Sequence, residues 1–153
     1  MAKKFPLQPL VNLAQQQNEA AIRKLGQLNQ QQQAAQVQLD TLLQYRKDYQ
    51  VRFQEAERNG MSQSDLRNFQ DFLLRLDEAI RLQHVATERA REQVQVGRSE
   101  LQEAQRKMKS FDTLAQRHIA SERKLAEKME QRQQDEHTGR VAAVKAVAEQ
   151  HED

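Results

Sequence analysis

Cysteine is absent from the 153 residues, which excludes disulfides and thiolate metal sites and suits a reducing cytoplasm. Tryptophan is absent as well, and aromatics make up only 5%, too little for a broad globular core. Both prolines, Pro6 and Pro9, stand at the start, so nothing after them forbids helix. No window approaches the roughly 20 apolar residues that span a bilayer. The opening stretch MAKKFPLQPLVNLA lacks the apolar run of a signal peptide. An excess of either charge is missing too: 30% of residues are charged, yet the net charge is only +2. Such mixing is the pattern of a solvated helix face. The isoelectric point near 9.0 reflects a small surplus of base rather than a basic patch, which argues against nucleic acid as a partner.

Catalytic signatures are missing in the same way. There is no G-x-x-x-x-G-K-[ST], G-x-G-x-x-G, H-E-x-x-H or G-x-S-x-G. The chain is therefore read as a non-enzyme with no cofactor. What remains is rich in Gln, Glu, Lys, Arg and Ala, all compatible with helix. Hydrophobic residues reach 37% and mean hydropathy is −0.97, enough apolar material for a narrow two-helix seam.

That seam can be traced by spacing. Before residue 58, Leu7, Ala14, Ala21, Leu28, Ala35, Leu42, Tyr49 and Ala56 form one series of heptad positions, assigned to d. Val11, Asn18, Leu25, Gln32, Leu39, Arg46 and Phe53 form the a series. After residue 65 the a series runs from Leu66 through Ile80, Val94 and Ala115 to Met129, and the d series from Phe69 to Arg132. A seven-residue apolar period predicts a left-handed supercoil. Helix 1 alone would be about 75 Å long at roughly 1.5 Å per residue.

Between the two stripes lies Arg58-Asn59-Gly60-Met61-Ser62-Gln63-Ser64-Asp65-Leu66. Asn59 or Gly60 supplies the left-handed residue that ends a helix. Ser62 caps the next one with Asp65 three residues on, and Met61 and Leu66 take the staple positions. A link this short makes the helices antiparallel. The predicted fold is all-α: one domain of two long helices, an antiparallel left-handed coiled-coil hairpin over residues 1–153. Helix 1 is expected over about 7–58, the turn over 59–62, helix 2 over about 63–137 and a flexible tail over 138–153, with a short frayed helix after Gly139 as the alternative for the tail.

Reflecting the chain about the turn sets Leu7 beside Ala115, so helix 2 outruns helix 1 from about Ala115. The stripe beyond, with Leu125 and Met129, lacks an intramolecular partner and is expected to bind something. Polar residues interrupt the seam at Asn18, Gln32, Arg46, Gln83, Thr87, His118 and Glu122. They either fix register at a cost in stability or face a partner, and Arg46 can also lift its head into water. His118 and Glu122 alone are too few for a zinc site.

On one flank, the g positions near the turn hold Gln38 and Tyr45 on helix 1 and Phe72, Ala79 and Ala86 on helix 2. Tyr45 and Phe72 widen the seam into an apolar strip with Leu42, Tyr49 and Leu76. The opposite e flank is polar: Gln50, Glu57, Gln70, Asp77 and His84. The two aromatics either fold over the seam and broaden the core or anchor a protein interface.

Several segments together resemble the flagellar FliJ family: LVNLA near the start, EAAIRKLG at 19–26, QLDTLLQYRKDYQ at 38–50, the GMS turn, LRNFQDFLLRLDEAI at 66–80, SFDTLAQR at 110–117 and EQRQQDEHTGR at 130–140. The resemblance implies a soluble component of the flagellar type III export apparatus, cytoplasmic and held at the inner face of the membrane through its partners. It implies a central stalk in the hexameric export ATPase ring, similar to the shaft of the rotary ATP synthase. The cytoplasmic domain of the export gate and the export chaperones would be the other partners. The gate-facing patch falls on Gln38, Leu42, Tyr45, Tyr49, Phe72, Leu76, Ala79 and Gln83. The end holding both termini, with Leu13, Ala14, Leu125 and Met129, would enter the ring. Other family members can carry His where this chain has Gln83, with His84 adjacent. The alternative is a structural coiled coil that self-associates through its overhang.

Overall fold

The computed structural model describes residues 4–151, and the expectations for residues 1–3, 152 and 153 lie outside it. Two helices account for nearly all of it: α1, Gln8–Arg58, and α2, Gln63–His151. Among the described residues there is no strand. Pro9 falls in the first turn of α1, where its missing N–H has no helical acceptor to satisfy. The chain packs as two units. One is Gln16–Gln105; the other joins the chain up to Gln15 with the chain from Arg106 onward.

The Gln16–Gln105 unit contains the turn. The Asn59 N–H bonds the Glu55 carbonyl at 3.2 Å, and Gly60 follows at φ +85°, the left-handed region where a side chain is strained. Ser62 then caps α2 by accepting the Asp65 N–H on Oγ at 3.2 Å, while its carbonyl accepts the Leu66 N–H at 3.0 Å. The two helical segments lie antiparallel, as cross-helix pairs show. Lys24 meets Glu100 at 2.8 Å, the Ala35 carbonyl meets Gln83 and Thr87, and Tyr49 meets Phe72. Every a and d position of this unit is buried or half-buried. The core proper is Leu39, Leu76 and Ile80, with Leu42 packed against it. Gly97 lets the helices approach closely: a Cβ there would sit 2.8 Å from Leu28 Cδ1.

In the second unit, residues 4–15 lie along α2 from Arg106. Val11 and Ala14 are buried, and Leu7, Met108, Phe111, Ala115, His118 and Glu122 are half-buried. Cover thus reaches Glu122 rather than stopping near Ala115. Phe5, upstream of α1, stacks on His118 with ring centroids 5.3 Å apart, so chain outside the helix extends the cover.

From Arg123 to His151 every described residue is exposed and helical. Helix thus continues through 138–151, where the sequence reading ended helix 2 at about 137 and placed a tail. Gly139 costs a helix interior about 1 kcal/mol. The following AAVKAVAEQ is strong helix former with no proline to stop it. Among the described residues, no helix is long and apolar enough to cross a membrane.

Candidate partner-binding surfaces

The first surface lies on the Gln16–Gln105 unit. Heptad phase puts Tyr45 and Phe72 just off the seam, and both remain open to solvent, at 60% and 37%. Phe72 belongs to an aromatic stack, while Tyr45 stands apart from it. Tyr49 lies 4.4 Å from Phe72 and 5.0 Å from Phe69 by ring centroids, and Phe53 lies 5.5 Å from Phe69. Tilted arrangements of this kind suit the ring quadrupoles. The sequence reading included Tyr49 and Phe72. It left Phe53 and Phe69 as seam residues, although their positions a and d beside Tyr49 were the available signal.

The eight residues assigned to this patch divide by depth. Gln38, Tyr45 and Phe72 are exposed; Leu42, Tyr49 and Ala79 are half-buried. Leu76 is 7% exposed and belongs to the core, so it supports the strip from below rather than forming its surface. Gln83 is turned inward. Its Nε2 donates to the Ala35 carbonyl at 3.0 Å, and Thr87 Oγ1 donates to the Gln83 carbonyl at 2.8 Å while lying 3.3 Å from the Ala35 carbonyl.

The other flank is ionic. Arg46, at an a position, extends from the seam so that its Nε bonds Asp77 Oδ1 and its Nη1 bonds Gln50 Oε1 at 3.2 Å. The hydrogen bond that Arg46 donates to Asp77, and then the Asp77 charge, hold the guanidinium pKa above its ordinary value. The snorkelling expected of Arg46 is thus present, with an acidic partner at the end of it. Among the described residues, Asn18 is buried in the seam and its Oδ1 accepts no hydrogen bond.

The second surface lies in the other unit. Ala14 is 3% exposed and part of the seam, whereas Leu13, Leu125 and Met129 face solvent. Leu10, Leu114 and Ile119 add exposed apolar area the sequence reading did not mark. They occupy g, g and e positions, so the flanking columns of the heptad held the signal. Among the described residues, no group of three or more His, Asp or Glu is placed to hold a metal ion.

α2 also exposes Leu74, Leu82, Val85 and Val96 on its outer face. Leu74, Val85 and Val96 are eleven residues apart, a spacing that keeps one face of a nearly straight helix.

A family model described as "Flagellar FliJ protein" matches residues 3–146. The flagellar FliJ protein of Salmonella typhi is 26% identical over 142 residues, covering 93% of this chain and 97% of the relative. That of Escherichia coli (strain K12) is 25% identical over the same length, with the same coverage. No solved structure matches. A match to the family over nearly the whole length, on a two-helix architecture that its heptads dictate, means that this chain belongs to the FliJ family of flagellar export proteins.

Proposed function

We propose that the chain is a non-enzymatic, stalk-like coupling factor of the flagellar type III export apparatus. In this reading it binds the export ATPase ring, the cytoplasmic domain of the export gate, and export chaperones. It works in the cytoplasm, drawn to the inner face of the membrane by its partners. The observation that carries the reading is the exposed pair Tyr45 and Phe72, of which Phe72 packs against Tyr49 in an aromatic stack. Large aromatics left open at the surface are typical anchors of protein interfaces. Gln38 edges the same strip, with Leu42, Tyr49, Leu76 and Ala79 as its floor.

The ring-binding end would use Leu13, Leu125 and Met129, with Ala14 holding Leu13's helix in place. A packed two-helix segment resists bending because each layer of the seam must shear against the next. That stiffness is what a coupling element needs. The test is a binding measurement with the purified gate domain, alongside an ATPase assay with the purified export ATPase. Capture of the gate domain that is lost in Phe72→Ala and Tyr45→Ala, and hydrolysis stimulated by the chain, sustain the reading. Unchanged capture by both variants removes the patch. An unaltered ATPase rate and assembly state removes the stalk.

A further inference from the structure

The helix beyond Glu122 keeps the heptad phase of the seam after its cover ends. Leu125, Met129, Arg132, Glu136, Gly139 and Ala143 continue d, a, d, a, d, a, and every one is exposed. The order of sizes along this stripe is asymmetric. Its two large apolar residues come first, a charged pair stands in the middle, and its two small residues come last.

Antiparallel self-pairing turns that asymmetry into complementarity. In an antiparallel coiled coil an a residue of one helix faces a d residue of the other. Let Glu136 of one copy face Arg132 of another. The two-fold then repeats the same ion pair in the opposite sense. The same register sets Met129 against Gly139 and Leu125 against Ala143, large against small in every outer layer. Shape and charge therefore agree in one register, which is how facing positions interdigitate.

We propose that residues 125–143 form a self-complementary interface through which two copies of this chain associate antiparallel. The stripe is about 28 Å long at 1.5 Å per residue, so the contact is small and the association reversible. Neither Glu136 nor Arg132 is committed elsewhere by a strong bond: Glu136 has Arg140 of its own helix at 3.9 Å, on the exposed surface. Because the stripe includes Leu125 and Met129, a second copy and the ATPase ring would compete for it. The self-association stands whether or not the ring-binding reading holds.

The experiment is sedimentation equilibrium of the full chain from micromolar to near-millimolar concentration, with helicity followed by circular dichroism. The wild type should shift reversibly from one mass to twice that mass. Arg132→Glu sets like charges together in the central layers, as does Glu136→Arg, so each variant alone should associate at least about tenfold more weakly. Mixed in equal amounts the two variants restore both ion pairs, and a heterodimer should reappear. A wild type that stays monomeric at every concentration overturns the proposal. So do single variants that associate like the wild type, and so does a mixture that forms no heterodimer while both chains remain helical.

Discussion

Gln83 reaches across the helix pair and donates its side-chain amide to the main-chain carbonyl of Ala35 at 3.0 Å. Thr87 lies 3.3 Å from the same oxygen. The Ala35 carbonyl of α1 thus accepts from Gln83 and has the Thr87 hydroxyl close by, which pins the register at mid-seam. Gln83→Ala should lower stability by about 0.5–1.5 kcal/mol, the usual worth of one such bond. Thr87 is 2% exposed, and Thr87→Val keeps its shape while removing the hydroxyl, so a loss in the same range is expected. Urea unfolding checks both. Gate-domain affinity should change little in Gln83→Ala, since the amide faces Ala35 and not solvent.

Two glycines should respond in opposite ways. Gly97 is buried, and a Cβ there meets Leu28 Cδ1 at 2.8 Å and Leu25 Cδ1 at 3.4 Å. Gly97→Ala gains about 1 kcal/mol of helix propensity and loses a similar amount by turning Leu28 aside, for a small net change. Gly97→Ile has no room to compensate and should cost about 1–3 kcal/mol. Gly139 has nothing within 4 Å of a built Cβ, so Gly139→Ala should raise helicity, worth about 1 kcal/mol to the local helix. Circular dichroism and urea unfolding separate these outcomes.

Asn18 leaves its Oδ1 without a hydrogen bond in a buried a position. Asn18→Leu removes that unsatisfied oxygen and adds apolar contact, and should stabilise by about 1–3 kcal/mol. The expected cost is loss of register specificity. Cysteine pairs placed across the seam should then crosslink in more than one register, where the wild-type background gives one.

Acid should weaken one surface interaction in a defined window. Arg81 hydrogen-bonds Glu78 and holds its carboxyl below the ordinary carboxylate value. A carboxyl lowered in the folded state stabilises fully above its unfolded value, and that stability is lost as pH falls through the lowered folded value. The pair is exposed, so the effect is small and screened by salt. Helicity measured at low ionic strength should fall with acid less steeply in Glu78→Gln than in the wild type. At high salt the two curves should converge.

At the aromatic strip, Phe72→Ala removes an anchor that also stacks on Tyr49, and Tyr45→Ala removes one that stands free of the stack. Each should weaken gate-domain binding by about 2 kcal/mol or more, the loss typical of an interface hot spot. Only Phe72→Ala should also lower the unfolding midpoint. Calorimetric titration beside thermal unfolding distinguishes the two contributions.

The sequence made the seam legible because heptad spacing is a direct image of burial. From Leu7 to Ala56, and from Leu66 to Glu122, each a and d residue is covered. The turn was equally readable, since Gly60 and Ser62 satisfy local rules that need no distant partner. Depth within the flank was harder. Leu76 belongs to the core and Gln83 turns inward to Ala35, and such choices depend on how closely two backbones approach. Heptad letters carry no record of that. The cover reached by Phe5 on His118 was hidden for a related reason: Phe5 precedes the helix, outside the periodic pattern.

The end of cover at Glu122 gives the molecule a built-in reporter. Past it, the amide hydrogens of residues 123–151 are guarded by a single-stranded helix alone, and short unsupported helices open readily in water. Deuterium uptake there should be fast in the solitary chain and slow once a second surface closes over it. Occupancy of this segment can thus be followed by mass spectrometry without attaching a reporter group to the protein.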